Sequence, residues 1–223
     1  MTLAELRWIT LTAAGILAAG TTAEADVLSG TVTTRVRQGT TAAAAVVYAE
    51  PLDGGAPVRP APPVAIEQRD KTFVPRVLAV PVGTTVRFPN SDGIFHNVFS
   101  LSPGNAFDLG LYRSGASKSR TLVTPGLVRV FCNIHPQMTA VVVAVPTPWV
   151  TVAGSGGAFR LELPAGRYKV TALSERAAAV TADITVAGVT AAPSLALDES
   201  GFTAVQHANK FGKPYPPEAY KQQ

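Results

Sequence analysis

Phe131-Cys132-Asn133-Ile134-His135-Pro136-Gln137-Met138 carries almost all the soft metal-binding chemistry of this 223-residue chain. Cys132 is the sole cysteine, Met138 is the sole methionine after the initiator, and the histidines are His96, His135 and His207. A thiolate, an imidazole and a thioether spaced C-x2-H-x2-M form a soft donor set, suited to copper cycling between Cu(I) and Cu(II). Two imidazoles and one thiolate in a plane, with a weak axial thioether, describe a blue-copper electron-transfer site. The run supplies one imidazole only. Upstream, Ile94-Phe95-His96-Asn97-Val98-Phe99 offers the second.

Such a tripod works only if the run is a loop between two strands. In 127–132, Val128, Val130 and Cys132 share one face and Arg129 takes the other, so Cys132 points into a core at the strand's end. Segment 139–145 is apolar on both faces and reads as a central strand. Pro136 stiffens the connection between the second and third donors. In 85–88, Val86 and Phe88 face one way and Arg87 the other, and the turn Pro89-Asn90-Ser91-Asp92-Gly93 then delivers His96.

The N-terminus gives the thiol its context. Arg7 precedes the apolar stretch 8–20, and Ala23-Glu24-Ala25 fits an A-x-A cleavage site, so residues 1–25 read as a secretory signal cleaved after Ala25. The stretch is too short to span a bilayer, and no later segment reaches 18 consecutive apolar residues, so no membrane span is expected. An unpaired thiol in an oxidising compartment needs an explanation, and metal ligation supplies one. Removing Glu5, Arg7 and Glu24 moves the formal net charge from +4 to +5. That mild basicity could steer an acidic partner, but the basic residues are too scattered for a nucleic-acid surface.

The mature chain reads as all-β, in short strands bounded by turn residues. Segments 28–37 and 42–50 flank Gln38-Gly39-Thr40 and are expected to form a hairpin. A Pro-rich connector, 53–63, marks a boundary. Further strands fall at 64–68 and 77–80. After Pro146 and Pro148 a second unit begins, alternating apolar and polar residues through 158–170 around a Pro-Ala-Gly turn, with another strand at 179–186. This unit is small for an independent core, and the 28–50 segment is expected to complete it. The expected division is 1–25 signal, 26–60 hairpin and linker, 61–146 first sandwich, 147–199 second sandwich and 200–223 extended tail.

Each candidate ligand has a plainer reading. Cys132 and His135 could be a buried thiol and a turn histidine, Met138 a core filler, and His96 a hydrogen-bonded histidine. Their convergence favours a metal. His207, in the polar tail, is expected to have no metal role.

Residues 64–145 resemble a cupredoxin of the plastocyanin and amicyanin type. Val82-Gly83-Thr84-Thr85-Val86-Arg87-Phe88-Pro89-Asn90, His96-Asn97-Val98 and the 132–138 loop carry the resemblance. The whole is also similar to exported methylamine-utilization-like proteins, and 159–170 resembles a carboxypeptidase regulatory-like, transthyretin-type sandwich. The resemblance implies a Greek-key sandwich plus a second small transthyretin/Ig-like one. It implies one type-1 copper with His96, Cys132 and His135 equatorial and Met138 axial. Asn97 would brace the two ligand loops, and His135 with Pro136 would form the electron port. The expected function is periplasmic electron transfer, not enzymatic, with a redox partner such as a c-type cytochrome or a periplasmic dehydrogenase. A catalytic copper centre needs more histidines than His207 can supply. Copper delivery, or an envelope interaction module, is the alternative.

Overall fold

The computed structural model describes residues 25–55, 58–216 and 218. The expected signal segment lies outside them, except for Ala25. The chain runs β1 (Asp26–Arg35), β2 (Val46–Pro51), β3 (Val64–Ala65), β4 (Glu67–Arg69), β5 (Thr72–Val74) and β6 (Val77–Pro81). It continues through β7 (Thr85–Pro89), β8 (His96–Ser100), β9 (Phe107–Tyr112), β10 (Ser117–Thr121), β11 (Gly126–Cys132) and β12 (Thr139–Val145). The last third holds β13 (Val150–Val152), β14 (Ala158–Leu163), β15 (Gly166–Leu173), β16 (Val180–Val186), β17 (Val189–Ala191) and β18 (Leu195–Asp198). The protein is all-β, as its turn-punctuated sequence implies.

Two sheets enclose the core that carries the candidate ligands. One has the order β6-β12-β11-β8-β9 and the other β10-β7-β3. Strand β11 alternates as its sequence requires: Val128, Val130 and Cys132 are buried in that core together with Val86, Phe88, Val98 and Met138. The segment between β8 and β11, which shows little apolar periodicity, forms β9 and β10. A hairpin, β4–β5, closes near the ligand end, and its turn residues Asp70 and Lys71 have φ of 54° and 51°. Positive φ at both central residues is what a two-residue type I′ hairpin turn demands.

Strands β1 and β2 do not form the expected hairpin. β1 pairs with β14, β17 and β18, whereas β2 pairs with β13 and β15. The two lie in opposite sheets, β14-β1-β17 and β13-β2-β15-β16. Burial explains the choice. Leu28 and Val32 of β1 and Val47 and Ala49 of β2 meet across one core with Leu161, Leu163 and Val170. An isolated two-stranded ribbon would leave that apolar face uncovered. All strand partners of β1 and β2 thus come from residues 150–198, and residues 64–145 lie between these two contributions in chain order.

The remaining face of β2 meets the other sandwich. Val46 packs with Val141, Val143 and Val145 of β12, flanked by Tyr48, Val150 and Leu173. That is why β12 is apolar on both faces: Ala140, Val142 and Ala144 enter the ligand-bearing core, while its odd-numbered valines face the second sandwich. Four fully buried valines at about 1.5 kcal/mol each, an upper bound, make this a firm junction. Glu175, after β15, adds ion pairs at its edge to Arg76 (2.6 Å) and Arg129 (3.4 Å).

Candidate metal centre

The three donors come from two adjacent strand ends and one loop. His96 opens β8, Cys132 closes β11, and β8 and β11 are hydrogen-bonded neighbours in register Cys132↔Val98. A register irregularity between Asn97 and Phe99, where β8 meets β9, lies just past His96; bulges of this kind re-aim side chains beside functional sites. The loop is fastened from within by Met138 N–H to His135 O (2.9 Å) and by Cys132 N–H to Met138 O (3.2 Å). Met138 is buried in the same core as Cys132.

Donor geometry tests whether a metal fits. The Nδ1 atoms of His96 and His135 lie 3.1 Å apart, and the Cys132 Sγ lies 3.7 Å and 3.8 Å from them. The point equidistant from all three atoms is about 2.1 Å from each, the length of a bond from a divalent metal to imidazole and slightly short of one to thiolate. Among the described residues these three are the group of His, Cys, Asp and Glu side chains placed to share an ion. The donor set of one thiolate and two imidazoles, with a buried thioether adjoining, fits copper.

The surroundings prepare each donor. His96 is fully buried, and its Nε2–H donates to Asp92 Oδ2 at 2.7 Å, which leaves the Nδ1 lone pair facing Cys132 and His135. Asp92 is itself held by the N–H groups of Asp70 (2.6 Å) and Lys71 (3.0 Å), at the type I′ turn. Burial pushes the Asp92 carboxyl up, but the hydrogen bonds from His96, Lys71 and Asp70 outweigh it and hold it below the usual range. Burial, then the neighbouring His96 and Lys71, lower the His135 imidazole against the opposing pull of Asp92, so the ring favours its neutral, ligating form. Burial raises the Cys132 thiol, partly offset by the N–H groups of Asn97, Ile134 and His135 aimed at its sulfur. An incoming metal ion therefore displaces a thiol proton.

Asn97 links the His96 strand to Cys132 through its main-chain N–H, which is aimed at the sulfur, while its side-chain Nδ2 donates to Asp108 Oδ1 (2.6 Å). Pro136, expected beside His135 at the electron port, is buried, and the chain's own C-terminal segment meets it. There His207 Nε2–H donates to the Pro136 carbonyl at 2.7 Å. His135 is half-buried, and the apolar side chains flanking the ligands in sequence, Ile94, Phe95 and Ile134, are exposed. His207 lies outside the donor group, with Nδ1 2.9 Å from the Ala208 carbonyl.

Asp92 was legible only as a turn residue. The signal that marks it is a carboxylate four positions before a histidine within a tight loop, the spacing of the hydrogen bond now seen.

No protein-family model matches this chain, and no curated protein is significantly similar to it. Similar solved structures include the copper-containing nitrite reductase of Thermus scotoductus, 27% identical over 43% of this chain with a TM-score of 0.37. The match spans only 25% of that enzyme's chain. A purple cupredoxin from Nitrosopumilus maritimus is 22% identical over 37% of this chain and 99% of its own, with a TM-score of 0.34. A reduced, Cu(I) variant of amicyanin is 24% identical over 37% of this chain and 81% of its own, with a TM-score of 0.35. Each similarity covers less than half of this chain, so the reading of the site rests on its own geometry.

Proposed function

We propose that this chain is a one-electron carrier built on a single type-1 copper centre, held by His96, Cys132 and His135 with Met138 as the weak axial donor. The observation that carries this reading is the triangle of two imidazole nitrogens and one thiol sulfur whose common centre lies at bonding distance from all three. Copper bound there would supply the Cu(II)/Cu(I) couple. The chain's part is to hold the donors still. Strand ends fix His96 and Cys132, Asp92 orients His96, and burial keeps water from the thiolate. No proton or atom is transferred, and no further histidine is needed.

Copper delivery is less well supported, because His96 and Cys132 are completely buried, whereas a delivery site needs exchangeable ligands. Exposed Ile94, Phe95 and Ile134 beside the ligands offer an apolar surface for a redox partner, such as a c-type cytochrome or a periplasmic dehydrogenase. Periplasmic residence rests on the signal-like N-terminus. No helix among the described residues is long and apolar enough to cross a membrane.

Copper titration of the purified mature chain, followed by visible absorption and EPR, tests the proposal. The protein should turn intensely blue or green, Cys132→Ser should abolish the band, and Met138→Leu should keep a coloured site at a raised potential. A colourless Cu(II) protein at full occupancy would refute it.

A further inference from the structure

The segment after β18 lacks periodicity, yet it is tied down at both ends. Near its start, Phe202 N–H donates to Glu199 O, Arg37 donates to the Phe202 carbonyl (3.3 Å), and the Arg176 guanidinium lies over the Phe202 ring (5.4 Å). Those partners belong to the second sandwich or its loops. Further on, the segment folds into a compact turn. Asn209 Oδ1 accepts the N–H groups of Phe211 (2.9 Å) and Lys213 (3.1 Å), and Asn209 N–H donates to Lys213 O (2.7 Å).

This turn sits on the ligand loop. The His207 ring stacks on Phe131, the residue before Cys132, with centroids 3.9 Å apart and planes 15° from parallel. His207 Nε2–H donates to Pro136 O at 2.7 Å, Lys210 N–H donates to Asn133 Oδ1 at 3.0 Å, and Tyr215 Oη–H donates to Cys132 O at 3.4 Å. Lys210 Nζ pairs with Asp108 Oδ2 at 2.8 Å, the carboxylate that also receives the Asn97 side chain. Tyr215 in turn packs edge-on against His207 (5.3 Å). Four of the eight residues from Phe131 to Met138 are thereby engaged from outside, two of them through main-chain carbonyls that the loop's own hydrogen bonds leave open.

We propose that residues 201–216 are a working part of the metal centre: a strap, anchored on the second sandwich, in which His207, Lys210 and Tyr215 are positioning residues that hold the ligand loop in its metal-ready geometry before the metal arrives. None of the three is a ligand. A five-residue span between Cys132 and Met138 has few internal hydrogen bonds, and outer partners of this kind fix donors and tune a metal site. The inference rests on the proposed copper site, but its first readout needs no metal.

The experiment compares the mature chain with a truncation after Ser200 and with His207→Ala, Lys210→Ala and His207→Phe. In the metal-free proteins, amide exchange is read at Met138 and Cys132, whose N–H groups make the two loop hydrogen bonds. Truncation should speed exchange there by more than about tenfold. In the copper-loaded proteins, release of copper to a chelator should quicken by about tenfold, with a changed EPR hyperfine splitting. His207→Phe, which keeps the stack and loses the bond to Pro136, should fall between His207→Ala and the intact chain. Trp149, which packs edge-on to Tyr168 in the second sandwich, reports by fluorescence that this unit stays folded. Should truncation unfold the chain, the point variants carry the test. Exchange and copper release both within twofold of the intact chain in the folded variants would overturn the proposal. A missing blue band with faster loop exchange would instead refute the copper-carrier reading and leave the strap standing.

Discussion

Replacing Asp92 by Asn removes one negative charge from beside the candidate centre while keeping nearly the same shape. The carboxylate touches His96 Nε2 at 2.7 Å, and it lies roughly 7 Å, across the imidazole, from the point equidistant from the three donors. At an effective dielectric of about 20, one unit charge at that distance is worth about 2.4 kcal/mol. That energy favours Cu(II) over Cu(I) by one charge, and it corresponds to about 100 mV for a one-electron couple. The 10–100-fold loss of metal affinity typical of altered outer partners, taken as specific to Cu(II), brackets the same figure at about 59–118 mV. The potential must rise, because the oxidised, more positive state loses its neighbouring anion. Spectroelectrochemical titration of wild type and Asp92→Asn in one buffer measures it. Asn can still accept from one of the Asp70 and Lys71 N–H groups, so the apoprotein should lose no more than about 1–2 kcal/mol of stability. A shift below about 20 mV, or a fall in potential, would refute the claim that Asp92 acts electrostatically through His96.

Two further outcomes follow from burial. Val143→Ala should cost about 2 kcal/mol by opening a cavity where β12 meets the second sandwich, read by chemical denaturation, and an effect under about 0.5 kcal/mol would contradict tight packing there. The His135 imidazole is lowered from 6.5, so between its folded value and 6.5 the unfolded chain binds more protons and stability rises with pH. Acidifying the apoprotein through that window should therefore lower its melting temperature, and the contribution should be flat above 6.5. His135→Asn should lose that part of the slope, and an unchanged slope would count against the lowered imidazole.

The donors were readable because each leaves a local mark. Alternation in β11 aimed Cys132 inward, the flanking strands made 133–137 a loop, and the chain's scarcity of His, Cys and Met left few other combinations. Strand partnership was less readable. The patterns of β1 and β2 state which face is buried but not against what, and their closeness in sequence pointed to a hairpin that the shared core overruled. Strands β9 and β10 are largely exposed or half-buried, so they leave little apolar signal. Asp92 and the strap act through hydrogen bonds between side chains and main chain. Such bonds have no period, and the Lys210 and His207 contacts span 77 and 71 residues of sequence.

The doubled apolarity of β12 bears on the proposed function. Cu(I) and Cu(II) favour different geometries, so an electron carrier gains speed when its ligands cannot follow the change of state. Met138 sits immediately before β12, and any slide of that strand would move it relative to Cys132. Strand β12 is central in its sheet, between β6 and β11, and its outer valines are locked onto Val46 and its neighbours. Motion of Met138 along the strand would therefore break two cores at once. The span 133–137, outside any strand, has no such protection from the sheet. It is the part of the site that the proposed strap covers, and through that strap the second sandwich would matter to the proposed metal centre although it contributes none of the proposed ligands.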